Sequence, residues 1–296
     1  MRVIRFLAAP LVVALLLAPV WATDYKRNVI DPSYRHDRYG TLPRDIIKEF
    51  RAYITSFDSD DDDDGDGISD RRGIPEWVSY EMREIPRKLR KGPPRPAPWI
   101  TDEELAAKGI APTDATYQYS AVFRKRNANW YVRGHLCMKE HAWRLGAEAD
   151  WNTHTMLNAV PQRDNFNSGI WLDLENKTGG WANAHTAVWI IAGPIFNNRR
   201  PTKTLGEGKE MKIAIPDALF KIVVRESDSP NRPHVLAFIY SQECRQCKIR
   251  KRPYDHTEHL VSVREIEERT SLRFFTNLPA ADREAIRQTK ASRLWN

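Results

Sequence analysis

Cysteine is scarce in this sequence. Only Cys137, Cys244 and Cys247 occur in 296 residues, which excludes a scaffold held by a dense disulfide framework. The odd count leaves at least one thiol unpaired or shared with another chain. Long apolar runs are also scarce. One stretch, Phe6 to Trp21 inside MRVIRFLAAPLVVALLLAPVWA, is continuous, and no later one is apolar enough to span a bilayer. The run is 16 residues, shorter than the about 20 of a membrane helix. Arg2 and Arg5 precede it, and the segment ends with Val20 and Ala22 at the small-residue positions expected for cleavage. Residues 1–22 therefore read as a secretory signal peptide, with an uncleaved N-terminal anchor as the alternative. The expected mature chain is secreted or periplasmic and has no membrane segment. Internal repeats and βαβ periodicity are missing as well, which argues against a solenoid and a doubly wound parallel sheet.

What is present is charge, unevenly placed. The formal net charge is +7, or +5 without Arg2 and Arg5. Residues 58 to 70, DSDDDDDGDGISD, hold eight aspartates and no basic residue, so the rest of the mature chain carries +13. A basic body of that kind suits a polyanionic partner, either nucleic acid or an anionic surface.

The chain divides at composition shifts. Residues 23–57 form an N-terminal extension. Within it LPRDIIKEFRAYITSFD places Ile46, Ile47, Phe50, Ile54 and Phe57 at helical spacing, which predicts an amphipathic helix docked on the main body. The acidic loop, 58–73, follows, and 74–296 is the main domain. There IPEWVSYEM, the segment ending at Val132, HTMLNAVPQ, TAVWIIAGPIF, EMKIAIPDALFKIVVRE and HVLAFIYSQ read as strands. NFNSGIWLDLENKT reads as a helix, and VSVREIEERTSLRFF as a strand and a short helix. KGPPRPAPW is a proline-rich connector. Strands dominate and helices are interspersed, which predicts an α+β fold with a largely antiparallel central sheet flanked by helices.

The segment NWYVRGHLCMKEH carries the first chemical signal. Arg133 and His135 are two apart at the end of a strand, so they share a face. A permanent cation and a group that titrates near neutrality then occupy one place. Downstream, Asn167, Trp171 and Glu175 stand at i, i+4 and i+8, on one side of the predicted helix. Trp171 can anchor that side while Asn167 and Glu175 offer an amide oxygen and a carboxylate. Oxygen ligands of this kind suit a hard cation such as Mg²⁺.

These blocks resemble the DNA/RNA non-specific endonucleases with a ββα-metal finger. That family's pattern is Asp-Arg-Gly-His, then Asn-x-x-Pro-Gln, then Leu-Asn-x-Gly-x-Trp-x-x-Leu-Glu. The chain has Arg133-Gly134-His135, Asn158 to Pro161-Gln162, and Phe166-Asn167 through Gly169, Trp171 and Leu174 to Glu175. The resemblance runs over roughly residues 74 to 280. It implies an endonuclease that hydrolyses DNA and RNA with little sequence specificity and leaves 5′-phosphates. In that scheme His135 is the general base, Asn167 the direct ligand of Mg²⁺ (or Mn²⁺), and Glu175 the holder of metal-bound waters. Arg133 faces the phosphate and Asn158 orients the groups around it. A transition-state arginine is expected before a tryptophan, which points to Arg95 ahead of Trp99, with Arg124 and Arg126 as alternatives. Val132 departs from the pattern, where Asp is usual.

Two further features lie outside that scheme. CRQC, with Cys244 and Cys247, lacks the histidine of a haem site. A local disulfide is the favoured reading, and a Cys₂His₂ zinc site with His256 and His259 the alternative. Cys137 is expected to be buried. In the acidic loop Asp62, Asp64, Asp66 and Asp70 occupy positions 1, 3, 5 and 9 of a calcium-loop pattern with Gly67 at position 6. Position 12 is Gly73, so the bidentate ligand is missing or comes from Glu76. A structural Ca²⁺ is therefore expected there, distinct from the Mg²⁺. The rival functions are a catalytically weakened secreted nucleic-acid-binding protein and a calcium-dependent interaction protein.

Overall fold

The computed structural model describes residues 26–42, 46–58, 72–88, 92–117, 130–198, 201–249 and 253–296. The predicted signal segment, Asp62, Asp64, Asp66 and Asp70, and the alternatives Arg124 and Arg126 lie outside the described residues. In chain order the strands are β1 (Ile46–Glu49), β2 (Ile54–Phe57), β3 (Pro75–Arg83), β4 (Tyr131–His135), β5 (Ala159–Arg163), β6 (Ala187–Ile195), β7 (Thr204–Leu205), β8 (Ile213–Ala214), β9 (Ala218–Arg225), β10 (His234–Ser241) and β11 (Leu260–Val261). Seven of them form the central sheet in the order β1-β2-β3-β6-β9-β10-β11, with every neighbouring pair antiparallel.

Both faces of this sheet are covered, which is why β6 and β9 are apolar almost without interruption. Along β6, Val188, Ile190 and Ala192 enter one core, and Trp189, Ile191 and Ile195 the other. The first core receives Trp171, Leu174 and Trp181 from the helix Leu172–Ala184 and the turn before it. The second is closed by Val263 and Ile266 of the helix Val263–Thr270 and by Phe274 and Phe275. That helix starts at Ser262, whose hydroxyl accepts from the Glu265 N–H, an N-cap of the kind that helix starts favour. Among the described residues no helix is long and apolar enough to cross a membrane.

The sequence misplaces one element. The predicted amphipathic helix over 42–58 is a hairpin: β1 and β2 pair from Ile46 opposite Phe57 to Glu49 opposite Ile54. Phe50 and Tyr53 close the turn with backbone hydrogen bonds of 2.8 and 3.3 Å and stacked rings 4.8 Å apart. Ile, Thr and Phe fit a strand as well as a helix here, and the open edge of β3 decides, because β2 pairs with it from Ile54 opposite Ser79. The extension is thus built into the central sheet. A second difference is smaller. EMKIAIPDALFKIVVRE breaks into β8 and β9 at Pro216, which has no backbone N–H for a ladder.

Candidate active site

β4 and β5 form a separate two-stranded ribbon, with Arg133 opposite Pro161 and His135 opposite Ala159. The chain then passes through a helical turn, Asp164–Phe166, a kinked turn, Asn167–Trp171, and the helix Leu172–Ala184. Two strands and a helix make a ββα finger. Gly134 lies where the ribbon is tightest: a Cβ there would sit 2.1 Å from the Gln162 side chain. Only glycine lets Gln162 lie across the strand between Arg133 and His135.

The finger is braced from behind by Asn158. Its amide oxygen accepts from the Cys137 N–H at 2.8 Å, and its amide nitrogen donates to the carbonyls of Cys137 and Thr153 at 2.9 and 2.8 Å. Asn158 is fully buried. Asn158 is expected to orient the groups around the phosphate; its polar atoms are used in joining the end of β4 to the turn at 153. Its own carbonyl accepts from the Leu136 N–H at 3.0 Å, next to His135.

His135 packs between two rings. The Trp99 and His154 rings lie 4.6 and 5.2 Å away and within 5.2 Å of each other. Trp99 is delivered there by its neighbour Ile100, which bonds backbone to backbone with His154 and Met156 at 2.9 and 3.0 Å. Both His135 Nε2 and His154 Nε2 are buried without a hydrogen-bond partner. Burial holds His135 well below the usual imidazole range, and His154, Arg95 and Lys139 push in the same direction. Burial likewise holds His154 down at about 4, with Arg95 and Lys139 adding to it. The connector carrying exposed Arg95 is thus close enough to act on both histidines. It is seated at Gly92, where a Cβ would lie 2.1 Å from the Asp150 carboxylate that pairs with Lys139 at 2.7 Å.

Arg133 is half-buried, with Asp114 Oδ1 2.6 Å from its Nε and the Trp99 and Tyr117 rings 5.6 and 5.5 Å from its guanidinium carbon. At the helix end of the finger Asn167 is half-buried, and its amide makes no hydrogen bond among the described residues. The regular helix expected to align Asn167, Trp171 and Glu175 is interrupted: Gly169 has non-helical backbone angles, φ −110° and ψ −114°, and the chain kinks between Asn167 and Trp171. Trp171 is fully buried, and the Glu175 carboxylate is turned inward, 3.5 Å from Lys221 Nζ. Burial raises Glu175 to about 7 against the pull of Lys221. Its Oε1 makes no hydrogen bond.

Cys244 and Cys247 form a disulfide, so neither thiolate is available to zinc. His256 instead bonds to Tyr240 and Asp173, each at 2.7 Å, and the His259 ring stacks on Tyr240 at 4.3 Å. Cys137 is a buried free thiol. Sequence reasoning missed His154, Asp114, Tyr117 and Lys221. Of these only Lys221 leaves a trace, as a lone cation inside the apolar run ALFKIVV.

A ββα finger carrying Arg133 and His135 against an antiparallel sheet is the architecture of a ββα-metal nuclease. The solved structure of the EndoG/EndoGI complex has this fold, with a TM-score of 0.63 at 18% identity over 82% of this chain and 91% of that one. The chain belongs to the DNA/RNA non-specific endonuclease family, whose pattern it matches over residues 68–281. It is 27% identical over 212 residues to a nuclease of Serratia marcescens, covering 69% of each chain. It is also 27% identical over 222 residues to the human nuclease EXOG, mitochondrial, covering 69% of this chain and 53% of that one. A mitochondrial nuclease of Saccharomyces cerevisiae is 24% identical over 209 residues, 63% of this chain and 61% of that one. The match therefore spans between about half and about two thirds of these relatives.

Proposed function

We propose that the protein is an exported, Mg²⁺-dependent endonuclease that cuts DNA and RNA with little sequence preference and leaves 5′-phosphates. The observation that carries this reading is the setting of His135. Its imidazole shares a face of β4 with Arg133, has an unpartnered nitrogen, and stands among cations that favour its neutral form. A neutral imidazole is what a general base needs to take a proton from an attacking water. Arg133 engages the phosphate, and Arg95 stabilises the charge that builds up on it.

The donor groups fit a hard cation. Asn167 has an amide oxygen to give, and the Glu175 carboxylate, whose Oε1 is paired with Lys221 at 3.5 Å, has its second oxygen for metal-bound water. Among the described residues there is no cluster of three or more His, Cys, Asp or Glu that could hold a metal; an ion held by Asn167 would keep most of its water. Mn²⁺ accepts the same oxygen donors. When bound, the ion polarises the scissile phosphate and neutralises charge on the leaving oxygen. Phosphate contacts dominate such binding, so affinity falls steeply with salt.

Export rests on residues 1–22. The calcium loop rests on the spacing of Asp62, Asp64, Asp66 and Asp70. The base of that loop is drawn together, with the Asp58 carboxylate accepting from the Arg72 N–H at 2.6 Å. Glu76 accepts from the Ser56 hydroxyl at 2.8 Å.

Plasmid nicking with and without EDTA is the test. Cutting that stops in EDTA and returns with Mg²⁺ supports the reading. Plasmid binding without cutting in Mg²⁺ makes the protein a nucleic-acid binder only.

A further inference from the structure

Arg133 is the one arginine of the finger placed beside His135, and a free arginine side chain is a poor clamp. Its rotamers must be frozen before its N–H groups can meet a phosphate in a fixed geometry. Three groups surround it. The rings of Trp99 and Tyr117 lie 5.6 and 5.5 Å from the guanidinium carbon. The third group, Asp114 Oδ1, is 2.6 Å from Nε. That contact is ionic rather than an aligned hydrogen bond, since neither atom has a hydrogen-bond partner.

Asp114 does not come from the finger. It belongs to a turn in which the Tyr117 N–H bonds to the Asp114 carbonyl at 3.1 Å. The Thr116 hydroxyl bonds to the Met211 carbonyl at 3.2 Å, which fixes the turn to the main body. Asp114 is itself buried. Val132 cannot take this place. Adjacent residues of a strand point to opposite faces, so position 132 shares the face of Gly134, away from Arg133.

We infer that Asp114 is a positioning residue for Arg133: it holds the Nε edge of the guanidinium between Trp99 and Tyr117 and leaves the terminal N–H groups for the phosphodiester. The inference rests on the phosphate-binding role given to Arg133 above. Two effects of the carboxylate compete. Its charge weakens the pull of Arg133 on a phosphate, while its contact fixes the geometry of that pull. The first raises KM; the second raises kcat. A guanidinium has five donors in a rigid fork, so Nε can be held while the terminal nitrogens still bind. Misplacing a clamp by about 1 Å costs up to about 10²-fold in rate, which is why orientation outweighs the charge it neutralises.

The experiment is a double-mutant cycle on cleavage of a labelled duplex in saturating Mg²⁺. It uses the full chain, Asp114→Asn, Arg133→Ala and the double variant, each shown to be folded by its melting temperature. Asp114→Asn is expected to lose about 10-fold or more in kcat with KM unchanged or lower, and to cause no further loss in the Arg133→Ala background. Activity of Asp114→Asn equal to or above wild type overturns the inference, because the charge effect then dominates. Equal losses in both backgrounds also overturn it, since Asp114 then acts independently of Arg133. If Arg133→Ala alone is fully active, the role of Arg133 falls and the inference with it. A loss in Arg133→Ala without one in Asp114→Asn removes only the inference.

Discussion

Lys221 and Glu175 form a buried ion pair beneath the finger, with Nζ 3.5 Å from Oε1 and almost no side-chain exposure on either. Lys221 lies on the face of β9 shared by Leu219 and Val223, and its ammonium stands 4.2 Å from the centre of the Trp171 ring. Burial lowers the Lys221 pKa and raises that of Glu175, and each residue opposes the shift of the other. The pair therefore ties the finger helix to the central sheet at a polar point inside an apolar core.

Breaking one side of that pair strands a charge. Lys221→Met is expected to destabilise the protein by about 3–5 kcal/mol in urea unfolding at neutral pH. The double variant Lys221→Met, Glu175→Leu should recover most of that stability. A single variant as stable as wild type means that the pair contributes nothing to holding the finger.

His135→Ala should lower the cleavage rate by at least about 10²-fold, the scale of a lost general base, with an unchanged melting temperature. Undiminished cleavage assigns the proton transfer to another group.

The pH profile has a definite sign. The base works when neutral, so kcat/KM should rise with pH through the His135 pKa, which burial and nearby cations place below the ordinary 6.5. Arg95→Gln removes one of those cations, raises that pKa and moves the acid limb to higher pH. Arg95→Lys should leave the limb in place. A limb that stays put in Arg95→Gln takes Arg95 away from the base.

Asn167→Ala should raise the Mg²⁺ concentration needed for half-maximal rate. An unchanged metal titration places the ligand elsewhere.

Millimolar Ca²⁺ should raise the melting temperature of wild type, His135→Ala and Asn167→Ala alike. Replacing Asp62, Asp64 and Asp66 by Asn should abolish the rise. Loss of the effect in Asn167→Ala alone places the calcium at the finger instead of the acidic loop.

Much of the site is legible in the sequence because it is local. Arg133, Gly134 and His135 are consecutive, and a strand alternates faces whatever surrounds it. Asn167 and Glu175 sit in one short helical segment. The buried strands β6 and β9 announce themselves as apolar runs for the same reason. The failures come where non-local pairing decides. Ile46 to Phe57 has a pattern that suits either a helix or a strand, and pairing with β3 settles it. The kink at Gly169 interrupts the helix between Asn167 and Glu175, which a regular period cannot foresee. Asp114, His154 and Lys221 reach Arg133, His135 and Glu175 from other parts of the chain. The sequence by itself determined which groups could carry the chemistry. Only the tertiary structure decided which of them are buried, paired and held in place, because burial and charge pairing arise from contacts between segments far apart in the chain.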